Sequence, residues 1–270
     1  MTDVFEERFV VFIDILGFRS MVKAASRDPD GMIAKRVDTA LEIIQDMQLL
    51  GTDEVDAQHG IDGFHSHIFS DCIVMSVAPD SFAVSKLFIR LAKLTIKLME
   101  HGVWIRGGMS KGLISKRINT PWGPAIVEAY KVESEVAKYP RLALSKSALD
   151  FIHNHMNKKH EDGLIVRDSD DGVWSLSPIT WALRSSYGHP PMLTEQLAMR
   201  IKENLDEVHK ETVDNPGVFQ KIDWLCDHWS KHITPKDDWP RDDWPRDDWP
   251  NHDWPTKGCR TYNKSTVNLI

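Results

Sequence analysis

Apolar runs alternate with amphipathic stretches along most of the chain. Residues 8–16 (RFVVFIDIL) are apolar and rich in β-branched side chains, which predicts a buried central strand that ends at Gly17. Residues 30–50 instead place apolar side chains every three or four positions, which predicts a helix with one buried face that ends at Gly51. The two periodicities together indicate a mixed fold.

The remaining elements follow in a regular order. Residues 64–77 are predicted to form a two-stranded hairpin broken at 69–71, and Asp80 is predicted to cap a helix that ends near Gly102. Three glycines among the apolar residues of 103–118 indicate paired strands with close backbone approach. Downstream we predict a helix over 123–139, a strand over 142–144, a helix over 145–156 and an edge hairpin over 163–176. This order predicts an α/β fold, an α+β sandwich whose mostly antiparallel central sheet is flanked by helices, rather than a Rossmann fold.

The pattern changes beyond residue 190. Residues 193–211 and 218–232 have helical periodicity, whereas residues 236–255 read KDDWP, RDDWP, RDDWP, NHDWP. A proline in every unit argues against a regular helix or a central strand. The repeat is interpreted as a solvated low-complexity tail, with a Trp-Pro docking motif for a partner as the alternative. We therefore predict three parts: a domain over 1–190, a helical extension over 191–235 and the repeat tail over 236–270.

Composition and charge narrow the classes of partner. The chain has 270 residues, a formal net charge of -7 and no run of more than two Lys or Arg residues, which argues against a nucleic-acid or membrane-surface binder. No apolar run approaches the roughly 20 residues that cross a bilayer, and the acidic N-terminus lacks a signal-peptide pattern. The three cysteines form no CxxC pair, which is typical of a reducing compartment. We expect a cytoplasmic protein with no nucleic-acid and no membrane partner.

Two aspartates interrupt apolar segments of the sequence, one in the first predicted strand and one at the tip of the hairpin. Asp14 lies inside the first predicted strand, where a carboxylate costs several kcal/mol unless it is paired, bound to a metal or capping a turn. Asp71 lies at the tip of the hairpin, so the two acids can meet at the ends of adjacent strands. Carboxylates are typical ligands of Mg²⁺ and Mn²⁺ in phosphate chemistry. Cys72 is predicted to point away from Asp71 as a buried structural thiol.

Four short motifs follow one another between residues 10 and 133. They are VVFIDILGFRSMV (10–22), FSDCIVMSV (69–77), IRGGMSKG (105–112) and WGPAIVEAYKVE (122–133). In this order they resemble the opening strand, the second-aspartate hairpin, the R-x-G-x-x-x-G strand pair and the W-G-x-x-V-N-x-A-x-R-x-E helix of class III adenylate/guanylate cyclases. The resemblance implies a class III cyclase-like fold with residues 1–190 as the catalytic domain.

The resemblance also implies metal and nucleotide ligands. Asp14 and Asp71 match the aspartates that hold two Mn²⁺ or Mg²⁺ ions per active site, and Ile15 matches the residue whose backbone carbonyl completes a metal shell. The stretch 12–16 matches the segment beneath the triphosphate. Its nucleotide-binding candidates, with the glycine that follows, are Phe12, Leu16 and Gly17.

Three cationic residues are candidates for stabilising the charge that develops on the phosphates. Lys131 stands at the position of the family's transition-state arginine, and Val127 at that of its transition-state asparagine. Arg167 falls where the family places a phosphate-binding lysine. Arg106 has two interpretations, a ligand of the triphosphate or base and a salt-bridge partner at a strand edge.

The base-reading positions depart from those of purine cyclases. His67 and Thr120 stand where adenylate cyclases carry the Lys and Asp that select adenine, and Tyr130 and Phe12 are candidates to fill the space beside a smaller ring. This pattern resembles the pyrimidine cyclases of bacterial antiphage systems (Pycsar). It implies a homodimer that makes cyclic UMP or cyclic CMP from UTP or CTP and acts on a separate effector only through that product. The alternatives are a catalytically weakened nucleotide-binding module of the same fold and an adenylate/guanylate cyclase.

Overall fold

A central β-sheet organises the part of the chain that the structure, a computed structural model, describes: residues 4–49, 64–116, 121–156, 164–183 and 193–233. The strands are β1 (Phe5–Ile15), β2 (His65–Phe69), β3 (Cys72–Val77), β4 (Ile105–Ser115), β5 (Leu142–Leu144), β6 (Ile165–Arg167) and β7 (Trp174–Leu176). The helices are α1 (Phe18–Ala25), α2 (Met32–Leu49), α3 (Ser81–Glu100), α4 (Pro124–Lys131), α5 (Lys146–His155), α6 (Pro178–Ala182), α7 (Glu195–Glu211) and α8 (Pro216–Ile233). A π-helical turn (Val132–Ala137) continues α4.

The seven strands lie in the order β2-β3-β1-β4-β5-β7-β6. Every neighbouring pair is antiparallel except β4 and β5, which are parallel. The predicted α/β fold with a mostly antiparallel sheet and flanking helices is therefore confirmed. Antiparallel neighbours allow the short hairpin between β2 and β3, which places the end of that hairpin beside the end of β1.

Two details of the sequence-based prediction were wrong or incomplete. The residues predicted as paired strands over 103–118 form one strand, β4, because β4 pairs with β1 along its whole length from Ile105 to Ser115; residues 117–120 lie outside the described ranges. The short helix α1 was not predicted. It begins after Gly17, whose φ of 78° is left-handed and favours glycine.

The alternation of side chains along β1 gives its two faces different roles. Phe9, Val11, Ile13 and Ile15 are buried in the main core together with residues of α2 and α3. The intervening positions, which include Val10, face α4 on the other side of the sheet. Asp14 shares this second face, so the hydrophobic core does not enclose it.

Helices α7 and α8 belong to a second core, which they share with the preceding part of the chain. Ile201 and Ile222 pack there with Trp104, a residue between α3 and β4. The division into parts at residues 190 and 235 stays a prediction, and the repeat tail lies outside the described residues. No helix within the described ranges is long and apolar enough to span a membrane.

Gly108 allows the turn after α4 to approach the sheet closely. A Cβ atom at this position would collide with the carbonyl oxygen of Ala129 and the backbone nitrogen of Glu133. We therefore expect Gly108→Ala to lower the free energy of unfolding in urea by about 1–3 kcal/mol. Gly112→Ala on the same strand is the matched control, since its Cβ would come no closer than 3.4 Å to Ala125. Equal stability of the two variants would contradict this packing.

Candidate functional site

The register of the sheet gathers the predicted functional residues into rows on one face. Asp14 on β1 pairs with Cys72 on β3 and with Arg106 on β4. In the next row, Phe12 pairs with Val74, which in turn pairs with His67. Side chains two residues apart on a strand share a face, so the acids and the predicted base contacts lie side by side.

Asp14, Asp71 and Cys72 form one potential metal-binding group. One carboxylate oxygen from each aspartate and the Cys72 sulfur lie within 4.8 Å of one another. Asp71 lies in the turn between β2 and β3, next to Ser70 with a φ of 57°, and its backbone oxygen accepts a hydrogen bond from the Ile15 nitrogen at 3.2 Å. This bond ties the two predicted metal-binding segments together.

The prediction that Cys72 points away from Asp71 was wrong. Strand alternation would separate the two side chains only if both residues belonged to a strand. Asp71 belongs to the turn instead, and β3 begins at Cys72. The thiol therefore joins the two carboxylates rather than the core.

Negative charge accumulates at this point. The pKa of Asp14 is raised to about 6, first by burial, then by the Glu133 charge, and to a lesser degree by Asp71, while Arg106 opposes the shift. Glu133 is 2% exposed, and burial raises its pKa as well. A divalent cation would relieve this repulsion.

The donor set fits a hard cation such as Mg²⁺ or Mn²⁺. Asp14 and Asp71 offer oxygen ligands, which these ions prefer. Burial, with the neighbouring acids, raises the pKa of Cys72 to about 11, so in the metal-free protein the thiol keeps its proton at neutral pH. A soft metal would need the thiolate, which this environment disfavours.

Arg106 contacts two acids, Asp14 and Glu133. Its Nη2 donates to the Asp14 Oδ2 at 3.4 Å, and its Nε lies 2.5 Å from the Glu133 Oε1. The second contact lacks hydrogen-bond geometry and is an ion pair. In the protein without nucleotide, Arg106 is therefore a salt-bridge partner, which was one of its two interpretations. To bind a phosphate, its guanidinium would have to leave one of the two carboxylates and contact a phosphate oxygen instead.

Sequence reasoning missed two charged residues at this site. Glu133 closes the fourth motif, and its position at the end of that motif was the available signal. Lys221 comes from α8. Burial lowers its pKa, as does the Arg106 charge, whereas the Asp14 and Glu133 charges raise it, so its ammonium group lies within electrostatic range of these residues. Lys221 lies far along the chain in the predicted extension, so no local pattern could have pointed to it.

The predicted base contacts are partly assembled. The Phe12 and Tyr130 rings meet edge to face with centroids 5.3 Å apart. His67 lies on the same sheet face, and burial lowers its pKa, so its neutral form is favoured. Thr120 lies outside the described residues. Leu16 and Gly17 form the turn between β1 and α1, and the Leu16 nitrogen donates to the Trp104 oxygen at 2.8 Å.

Two predicted cations are not brought to the acids within one chain. The Lys131 side chain is 68% exposed, and its ammonium lies 3.9 Å from Glu135. Arg167 is exposed and donates from its Nε to the Gly172 oxygen at 3.2 Å. Its strand β6 is four strand spacings from β1, roughly 19 Å at about 4.8 Å each.

No protein-family model and no curated protein sequence matches the chain. It is similar to the solved monomeric guanylyl cyclase domain of the RhoGC fusion protein from the aquatic fungus Blastocladiella emersonii, with 15% identity over 64% of this chain and 96% of that chain and a TM-score of 0.42. It is also similar to a bacterial light-regulated adenylyl cyclase, at 15% identity over 75% and 100% of the two chains and a TM-score of 0.41. A third similar structure is a class III adenylyl cyclase-like ATP-binding protein from Pseudomonas aeruginosa. The identity is 14% over 58% of this chain and 37% of that chain, with a TM-score of 0.41. Similarity at this level does not define the function of the chain.

The metal-free protein is expected to gain stability when the Asp14 charge is removed. The folded-state pKa of about 6 exceeds the ordinary value of 3.8, so ionisation destabilises the fold progressively as pH rises from about 4 to 6. With EDTA present, Asp14→Asn should raise the free energy of unfolding by about 1–3 kcal/mol at pH 8 and by almost nothing below pH 4. Urea titrations across this range test the expectation, with Asp150→Asn, a change at an exposed residue of α5, as the control. A gain that is the same at every pH would contradict it.

Proposed function

We propose that this chain is a metal-dependent nucleotide cyclase that uses a pyrimidine nucleoside triphosphate. The proposal rests on one observation. Asp14 and Asp71 lie close enough together at the end of β1 to bind the same metal ion. Asp14 comes from β1 and Asp71 from the turn between β2 and β3, and each lies in a motif that resembles the class III cyclases. Two negatively charged carboxylates are suitable ligands for the divalent cations that accompany a nucleoside triphosphate.

The Asp14 and Asp71 carboxylates and the Ile15 carbonyl would hold two Mn²⁺ or Mg²⁺ ions. When bound, these ions would supply Lewis-acid stabilisation of the attacking hydroxyl and of the phosphate charge. In the reaction, the ribose 3′-hydroxyl gives its proton to solvent and its oxygen bonds to the α-phosphorus, while the bond from the α-phosphorus to the oxygen bridging it to the β-phosphate breaks and diphosphate leaves. Arg106 contacts Asp14, and Lys221 lies within electrostatic range of it, so both cations could stabilise the negative charge of the transition state.

Pyrimidine selectivity is proposed from the side chains that lie next to the acids on the same face of the sheet. Phe12, Tyr130 and His67 line the neighbouring sheet face with aromatic rings. Neutral His67 lacks the charge and reach of the lysine found in adenylate cyclases, and the paired rings reduce the space for a base. UTP is slightly preferred over CTP in this proposal, on the resemblance to Pycsar cyclases alone.

A homodimer is proposed from the exposed face of α4. Val127 and Tyr130 are 66% and 53% exposed although they are large and apolar, and they lie one helical turn apart. Lys131 is on the same helix and is too exposed to serve the acids of its own chain. A second copy across this face would give Lys131, and Arg167 from the far edge of the sheet, access to a shared site.

The biological setting is proposed from the motif resemblance only. A cytoplasmic cyclase of the Pycsar type would release cyclic UMP or cyclic CMP to activate a separate effector in bacterial antiphage defence. The Trp-Pro tail has no assigned part in this chemistry.

A second candidate is a catalytically weakened nucleotide-binding module. Val127 favours it, because a valine cannot donate the hydrogen bond of the asparagine that stands at this position in the class III motif. A purine cyclase is the third candidate, since the acid cluster would serve any nucleoside triphosphate.

Incubation with each nucleoside triphosphate separates these candidates. With Mn²⁺, we expect cyclic UMP or cyclic CMP from the wild type and at least about a hundredfold lower turnover of ATP and GTP, because wrongly paired polar groups weaken the transition state. Asp71→Asn should remove the activity, whereas Asp150→Asn should retain it. Chromatography of the products decides the outcome. Cyclic AMP or cyclic GMP as the main product would refute the pyrimidine assignment, and binding without any cyclic product would favour the weakened module.

Lys221 is expected to contribute to turnover although it lies in the C-terminal extension. Lys221→Met should lower kcat about 10- to 100-fold with a smaller change in KM, because the charge it supplies matters most when the phosphates gain negative charge. Lys221→Arg should restore part of the rate. The control is Lys210→Met on α7, where the lysine is exposed. Unchanged kcat in a folded Lys221→Met protein would rule out this role.

A further inference from the structure

Glu133 is buried more deeply than either aspartate of the proposed metal site. It is 2% exposed and lies in the first turn of the π-helical segment that continues α4. Its backbone nitrogen lies close to Gly108 of β4, where an added Cβ atom would be only 2.5 Å from it. The carboxylate does not belong to the metal-binding group of Asp14, Asp71 and Cys72. Glu133 is therefore a buried acid fixed beside the metal-binding group rather than within it.

Arg106 contacts Glu133 and Asp14 unequally. Its Nε lies 2.5 Å from the Glu133 Oε1, whereas its Nη2 lies 3.4 Å from the Asp14 Oδ2. The Glu133 side chain is 3% exposed and the Asp14 side chain is 21% exposed. Because solvent screens a buried charge pair less than an exposed one, the shorter and more deeply buried contact is the stronger of the two. Arg106 is thus held mainly by Glu133.

The contact between Arg106 and Glu133 is close but poorly aligned. The Arg106 Nε and the Glu133 Oε1 are both buried, and neither has a hydrogen-bond partner among the described residues. A guanidinium is planar and rigid, so the directions of its Nε and Nη2 groups change together. The bond from Nη2 to Asp14 therefore constrains the contact with Glu133. Release of Asp14 would let the guanidinium rotate and satisfy both buried atoms.

Metal binding would decide between the two acids. Cations at Asp14 and Asp71 would occupy the Asp14 carboxylate and would repel the positive charge of Arg106. Glu133 would retain the guanidinium, because a buried carboxylate is unfavourable unless it is paired. Arg106 would then turn its Nη2 away from Asp14 and toward the phosphates that the cations carry.

We propose that Glu133 is a positioning residue, which anchors Arg106 through its Nε so that the Nη groups donate to a triphosphate once metal ions occupy Asp14 and Asp71. This inference rests on the proposed function, which supplies the metal ions and the triphosphate. Glu133 itself would touch neither of them. If it did not act through Arg106, its negative charge would only repel a polyphosphate, and its removal would strengthen polyphosphate binding. The sign of the effect therefore tests the proposal.

Inorganic tripolyphosphate is a suitable probe, because it has neither a base nor a bond that a cyclase could use. The full chain is saturated with Mn²⁺, the anion is injected as its Mn²⁺ complex, and the dissociation constant is measured by calorimetry. We expect Glu133→Gln to weaken binding about tenfold and Glu133→Asp, which keeps the charge, to recover part of that loss. The matched control is Glu128→Gln on α4, whose carboxylate accepts from Ser147, and its affinity should stay within about twofold of the wild type.

Variants of Arg106 test whether Glu133 acts through this residue. Arg106→Gln should weaken binding about tenfold, and the double variant with Glu133→Gln should be no weaker, because the anchor then has nothing to position. Arg106→Lys should also lose affinity, since an ammonium group lacks the separate Nε and Nη edges that contact the acid and the phosphate together. This variant leaves Glu133 in place, so it tests the proposal even if Glu133→Gln does not fold.

Three results would overturn the positioning role while leaving the proposed function intact. They are equal or tighter binding by folded Glu133→Gln, further loss of affinity in the double variant, and wild-type affinity in Arg106→Lys. Electron paramagnetic resonance of bound Mn²⁺ checks that each variant keeps its metal, so that a lost ion is not mistaken for a displaced guanidinium. A wild-type protein that binds Mn²⁺ but no tripolyphosphate would overturn both the positioning role and the proposed triphosphate site.

Discussion

The concentration of negative charge at the end of β1 is the constraint on which the site depends. A carboxylate in the centre of a sheet destabilises the fold unless other groups compensate its charge. Here Arg106 compensates Asp14 and Glu133 together, and Lys221 stands nearby. The compensation is incomplete, because burial first, and then the Glu133 charge, still raise the pKa of Asp14 to about 6. Folding brings the carboxylates together and so introduces repulsion between them. A bound cation relieves this repulsion, which strengthens cation binding at such a site.

The rest of the local structure serves this arrangement. The antiparallel register places Asp14 between β3 and β4, and the turn at Ser70 directs Asp71 toward it. Gly108 lets the π-helical turn lie against the sheet, which brings Glu133 to Arg106. Trp224 of α8 stacks on Tyr139, which follows the π-helical turn, with ring centroids 5.0 Å apart. The extension is therefore part of the surroundings of the site rather than a separate appendage.

The sequence predicted the features that depend on residues close together along the chain, and it missed those that depend on residues far apart. Asp14 was found because a charge inside an apolar strand is a local anomaly, and Asp71 because it interrupts a hairpin. The sheet and most helices followed from periodicity, which is also local. Cys72 was placed wrongly because strand alternation was applied across a turn.

The remaining features depend on tertiary contacts that no local pattern encodes. Lys221 comes near the acids only because α7 and α8 pack against α3, α6 and Trp104. In the proposed homodimer, Lys131 and Arg167 would act across the contact between two copies, so a single sequence offered these residues but no geometry for them.

Manganese anomalous scattering tests the central claim most directly. Crystals of the full chain would be grown with MnCl₂ and a non-hydrolysable UTP analogue, and data would be collected at the manganese absorption edge. The account predicts two anomalous peaks per active site, both within coordination distance of carboxylate oxygens of Asp14 and Asp71. No peak between these two residues, or manganese bound only at other acids such as Asp168 and Asp171, would contradict it.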